Sequence, residues 1–269
     1  MKITPRQLIL DLLLAGNGLF LSAKEAVAAC ELFDLGGVSA RVALTRLLAE
    51  GLTESVSRGV YRLGPNAVEV AAQVGTWRNA NQRTKEWQGD YITIHSSSLG
   101  RTDRSALNRR ERAFKLLGFE ELEKGLHIRP NNLAINLDVI RNRLKSLGLE
   151  SEAIICISSD FDDAVENHIK SLWDCQALID SYQKTTHKIQ EWMKHVDQLP
   201  LKVAAQESLL LGRAAIQQVI YDPMLPAQMF DVAKREEFIK TVIMYDQVGD
   251  EIWRSLWRNG FVIESLDVA

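Results

Sequence analysis

Between Ser39 and Glu50 the sequence reads SARVALTRLLAE, and its residue types can do one kind of chemistry without a cofactor. Taken as a helix capped by Ser39, the segment puts Ala40, Ala43, Leu44, Leu47 and Leu48 on one face at i, i+3, i+4, i+7 and i+8. Arg41, Val42, Thr45, Arg46 and Ala49 fall opposite. A guanidinium pairs bidentately with the acceptor edge of guanine, while threonine and valine methyls can meet the methyl of thymine, so such a face suits a DNA major groove. Arg58, in the turn Ser57-Arg58-Gly59, and Arg62 just beyond it add two cations able to meet phosphates. Other chemistries lack their residues. The three cysteines, Cys30, Cys156 and Cys175, form no CxxC spacing and read as small buried hydrophobes of a reducing cytoplasm. Gly16, Gly18, Gly36 and Gly37 make neither a phosphate loop nor a dinucleotide fingerprint, and no serine sits in a nucleophile elbow. The expectation is therefore a protein that is not an enzyme, with neither cofactor nor metal.

The elements that must position the arginine face are written around it. Thr4-Pro5 offers a hydroxyl cap and a first-turn proline for a helix carrying Leu8, Ile9, Leu12 and Leu13, stopped by Gly16-Asn17-Gly18. Ser22-Ala23-Lys24-Glu25 is a capping box opening a second helix with Val27, Ala28 and Leu32 inward. Gly36-Gly37 permits a sharp turn into the third helix, which Gly51 ends. Strands then follow at 52–56 and 60–63, joined by a glycine-containing hairpin loop. Three helices followed by a hairpin is the order of a winged helix-turn-helix, assigned to residues 1–64. A small helical domain whose arginines merely meet solvent is the alternative.

Residues 65–88 read as a connecting helix. Residues 89–159 carry strand 91–94, a charged helix 103–117, strands near 119–123 and 126–130, helix 135–147 and the buried strand 153–157, the order of a ferredoxin-like domain. Residues 160–269 are helical throughout, in segments near 162–198, 202–220 and 232–258, with Asp222-Pro223-Met224-Leu225-Pro226 breaking the last two apart. The fold class expected is α+β and multidomain.

The net charge of −3 hides an asymmetry. Residues 75–150 hold 14 basic against 9 acidic side chains, whereas residues 151–269 hold 11 against 19. Affinity for DNA follows the local field, so an acidic rear does not exclude a basic front that binds it. Lys2 and Arg6 precede an apolar stretch in the manner of a leader, but Asp11 interrupts it and no cleavage site follows. No run approaches the roughly 20 apolar residues of a membrane span. A cytoplasmic location is expected.

In its ordered motifs the chain resembles the PaaX-type family of phenylacetic acid catabolon repressors. The resemblance is carried by Ser39 to Leu47 with Gly51-Leu52, by Arg58-Gly59-Val60-Tyr61-Arg62-Leu63, and by Trp87-Gln88-Gly89. It continues in Arg109-Arg110-Glu111-Arg112 through Leu117-Gly118-Phe119, in Gly125 to Asn132, and in Asp222 to Pro226. Tyr91 stands where the family pattern has tryptophan, and Ala113-Phe114-Lys115-Leu116 is less basic than that pattern. The resemblance implies a winged-helix N-terminal domain, a Cas2-like ferredoxin fold in the middle and a helical C-terminal domain. It also implies repression of an aromatic-acid catabolic operon, with release by an acyl-CoA or aryl-CoA effector.

For such an effector, Arg101, Arg104, Arg109, Arg110 and Arg129 are the candidate phosphate partners; the same arginines could instead serve DNA, a dimer interface or a salt-bridged surface. The DNA-contacting set is Ser39, Arg41, Val42, Thr45, Arg46, Arg58 and Arg62. The partners expected are double-stranded operator DNA and a second copy of the chain, because two-fold symmetry pairs two half-sites. Two other classes compete. A Cas2-like nuclease would need a metal-binding carboxylate at the end of the first middle-domain strand, where His95-Ser96-Ser97-Ser98 stand and Asp90 lies at the wrong end. A dimeric interaction protein without operator binding would have no use for Arg41, Thr45, Arg46 and Arg58. His127 and the Trp253/Trp257 pair read as packing residues.

Overall fold

The structure, a computed structural model, describes residues 3–15, 20–67 and 77–258. The chain is a mixed α+β protein with two small antiparallel sheets, and its residues group into two compact units. Of the described residues, unit one gathers those up to 78, 188–216 and 241–258; unit two gathers 79–187 and 217–240.

Unit one begins with α1 (Pro5–Ala15), β1 (Leu21–Ser22), α2 (Ala23–Leu32), α3 (Gly37–Ala49), β2 (Thr53–Ser57) and β3 (Val60–Leu63). Local caps start the first two helices. Thr4 Oγ1 accepts from the Gln7 amide at 3.3 Å. Ser22 Oγ accepts from the Glu25 amide at 3.1 Å while Glu25 Oε2 accepts from the Ser22 amide at 2.7 Å, a complete capping box. Gly36, at φ 72°, sets the start of α3, which begins at Gly37. Ser39 is thus an exposed residue inside the helix and not its cap, because the left-handed glycine ends the turn three residues earlier. Leu8, Ile9, Leu13, Ala26, Ala29, Cys30, Ala40, Leu44 and Leu47 form the buried core, against which Leu209 and Trp257 also pack. Leu48, expected inward, is 42% exposed. Eight residues beyond Ala40 at about 100° each, it has rotated about 80° off the buried line.

The small sheet has order β1-β3-β2, all antiparallel. The two-residue strand β1 was not expected from the sequence. The proposed connecting helix over 65–88 is a short 3₁₀ turn at Pro65–Ala67 and another 3₁₀ stretch at Trp77–Arg83, kinked at Asn79; its centre, 68–76, and the Gly16-Asn17-Gly18 stop lie outside the described residues.

Unit two contains β4 (Tyr91–His95), α4 (Arg104–Leu116), β5 (Glu120–Glu123), β6 (Leu126–Pro130), α5 (Leu137–Ser146) and β7 (Ile154–Ser158). The sheet order is β5-β6-β4-β7 with every neighbouring pair antiparallel, so β4 and β5, joined by α4, are separated by β6. Beyond it run α6 (Asp163–Ser171), α7 (Cys175–His195), α8 (Leu201–Ile220) and α9 (Val232–Arg258). The sequence suggests one segment over 162–198; the helix in fact stops at Leu172, and Asp174 Oδ1 accepts from the Ala177 amide at 2.9 Å, capping the next. Residues 160–258 divide between the two units by contact, with α7, α8 and α9 each contributing to both.

Candidate nucleic-acid interface

Gly36 and the four buried residues Ala40, Ala43, Leu44 and Leu47 fix which face of α3 turns outward. That face carries Ser39, Arg41, Val42, Thr45 and Arg46, all exposed. Val38 joins them at 74% exposure. It was not singled out in the sequence, although its position one turn before Val42 was signal enough. The Thr45 hydroxyl donates to the Arg41 carbonyl at 3.0 Å. Among the described residues Arg41, Arg46 and Arg58 take part in no ion pair, so their charge is free for an external anion.

Arg58 is exposed in the loop between β2 and β3. Arg62 differs: it stands opposite Glu54 in the β2–β3 register and its guanidinium is bonded to that carboxylate. An exposed pair of this kind is worth little to stability, yet the Glu54 carboxylate offsets the attraction Arg62 can offer a phosphate. The structure thus brings Ser39, Arg41, Val42, Thr45 and Arg46 onto one helix face, with Arg58 on the hairpin of the same unit and Arg62 engaged internally.

The five arginines considered for an anionic effector separate in unit two. Arg101 lines a cleft of about 460 Å³ with Lys115, Lys124 and the aromatic Phe114 and Phe119. Arg110 reaches the same cleft but is buried and bonded by two nitrogens to Glu150, at 2.6 and 3.1 Å, and to the Gly100 carbonyl. That ion pair holds the Glu150 carboxyl below its ordinary range. Arg104 is exposed, and Arg109, also exposed, donates to Ser105 Oγ at 2.7 Å.

Arg129 is 1% exposed and is not open to a ligand in this structure. Its guanidinium is consumed by the carbonyls of Leu117, Pro130 and Pro223 and by Asn132 Oδ1. Burial, then the neighbouring Arg83, lowers its pKa. Asn132 in turn donates to the Met224 carbonyl at 2.7 Å, so Arg129 and Asn132 together hold the Asp222–Pro226 segment. Asp222 is itself buried, accepting from the Tyr182 hydroxyl and the Met224 amide.

His127 lies on β6 with its ring 4.1 Å from that of Phe114, a packing role, and burial lowers its pKa. The rings of Trp253 and Trp257 lie 5.7 Å apart, tilted by 44°. Asp90 accepts from the Asn131 side chain at 2.6 Å. Among the described residues no three His, Cys, Asp or Glu side chains converge as a metal site, and no helix is long and apolar enough to cross a membrane.

No family model and no curated protein matches the chain. Among solved structures it is similar to an uncharacterized protein, Rv0674, from Mycobacterium tuberculosis, with a TM-score of 0.55 and 20% sequence identity over 92% of this chain and 99% of that one. At that identity the similarity concerns the fold alone.

Proposed function

We propose that the protein is a sequence-specific DNA-binding regulator whose α1–β3 segment is a winged helix-turn-helix, with α3 as recognition helix and the β2–β3 hairpin as wing. The observation that carries this is the outward face of α3, where Arg41 and Arg46 are exposed and unpaired beside Val42 and Thr45. A protein surface gains nothing in stability from two unpaired arginines among exposed valines. A DNA groove uses both. The sheet order β5-β6-β4-β7 supports a ferredoxin-like middle domain. The resemblance of the motifs to the PaaX-type repressors extends the reading: a homodimer repressing an aromatic-acid catabolic operon, released by an acyl-CoA or aryl-CoA effector.

The test is enrichment of a random-sequence duplex library by the full-length protein. The expected result is a partly palindromic consensus with half-site centres about 34–36 Å apart, one helical turn, or a multiple of it. A pool that stays random through successive rounds would refute sequence-specific binding. A single non-repeated motif would retain DNA binding and refute the two-fold arrangement.

A further inference from the structure

Val38 is 74% exposed and Val42 45% exposed. They lie one turn apart on α3, whose other side is buried at Ala40, Ala43, Leu44 and Leu47. With about 100° of rotation per residue, Val42 sits about 40° to one side of Val38, Ala49 about 20° to that side and Thr45 about 20° to the other. On the same scale Arg41 lies about 60° to the Thr45 side and Arg46 about 80° to the Val42 side. The middle of the face therefore holds methyl-bearing side chains only, and no charged residue lies between the arginines. The one hydroxyl there, that of Thr45, is already committed to the Arg41 carbonyl.

Resting on the DNA-binding reading, we infer that Val38 and Val42 recognise thymine through its 5-methyl group and that Arg41 and Arg46 anchor the two flanking phosphate backbones. The order of chemistries across the face, cation, methyl, cation, matches a section across a major groove about 12 Å wide, which carries methyl groups and base edges on its floor and phosphates on both rims. The N-terminal residues of a recognition helix are those that reach the bases, and Val38 is the second residue of α3. The arginines are thereby positioning residues, and the specificity lies with the valines.

The experiment takes the duplex enriched by the full-length protein and replaces each thymine in turn by deoxyuracil, which removes one methyl and nothing else. At one or more positions in each half-site, affinity falls about fourfold, the worth of one buried methyl group. The Val38→Ala, Val42→Ala variant, whose melting temperature stays that of the wild type because both positions are exposed, loses that sensitivity. The Arg41→Ala, Arg46→Ala variant keeps it while the salt slope of the dimer falls by about 3.6, two phosphate contacts from each protomer. Indifference to deoxyuracil at every position would overturn the assignment, as would unchanged sensitivity in the valine variant. So would an arginine variant that relaxes the choice of a guanine. A library that never enriches would overturn the DNA-binding reading together with this one, an outcome distinct from methyl-indifferent binding.

Discussion

Arg129 keeps its charge where water does not reach it, and three carbonyls with one amide oxygen stand in for the carboxylate it lacks. A lysine there has one nitrogen for groups that a planar fork meets from several directions. Arg129→Lys should therefore destabilise the fold by at least about 2 kcal/mol, the cost of leaving buried acceptors unpaired, read as a lowered urea midpoint at unchanged slope. A midpoint equal to that of the wild type would contradict the clamp. Asp11 contributes a pH dependence of its own. Burial raises its pKa from 3.8 to about 6 against the pull of Arg213, whose guanidinium is 2.7 Å away. The folded chain thus holds the Asp11 proton to higher pH than the unfolded chain does. The stability tied to it is full below 3.8 and is lost as pH rises through about 6. Asp11→Asn should flatten that portion of the melting-temperature profile, and an unchanged slope would assign the dependence elsewhere. Neither role was legible in the sequence. Arg129 stood among basic residues of a charged segment, and only the chain's return at Leu117 and Pro223 buries it.

Helices whose start is written in adjacent residues were legible: Thr4-Pro5 and Ser22 to Glu25 cap α1 and α2 as their chemistry requires. Features set by distant partners were not. The strand β1 is two residues long and exists because Leu21 and Ser22 pair with Tyr61 and Val60. Arg62 looked like a second phosphate contact because its cross-strand partner Glu54 is eight residues earlier and depends on the hairpin register. The period of α3 gives Arg41, Val42, Thr45 and Arg46 as its exposed face, but the expected cap at Ser39 leaves out Val38 and the leucine stripe wrongly takes Leu48 inward. At this scale the wing makes a measurable difference. Arg58→Ala should weaken binding to enriched and shuffled duplexes alike and lower the salt slope of the proposed dimer by about 1.8, one phosphate contact from each protomer. A loss confined to the enriched sequence would show that the wing reads bases.

Across the chain, local period and caps foretold an α+β protein, while the grouping into two units depends on α7, α8 and α9 each contributing to both, which no local pattern records. On the proposed reading, release of DNA requires a signal. An aryl-CoA ligand must bind the DNA-free protein better than the bound form, and a tenfold release corresponds to about 1.4 kcal/mol of coupling. Titrating phenylacetyl-CoA and free CoA against the protein–duplex complex should release DNA with the thioester; no release by these or by a wider set of CoA thioesters would remove the CoA effector and leave DNA binding intact. The claim on which the rest depends is sequence-specific binding through α3. It is tested most directly by fluorescence anisotropy at physiological salt, comparing the enriched duplex with a shuffled one of the same composition. The account predicts at least about a thousandfold preference for the enriched duplex, and at least about a tenfold loss of affinity for it in the folded Arg41→Ala, Arg46→Ala variant. Equal affinity for the two duplexes, or a variant that binds as the wild type does, would contradict it.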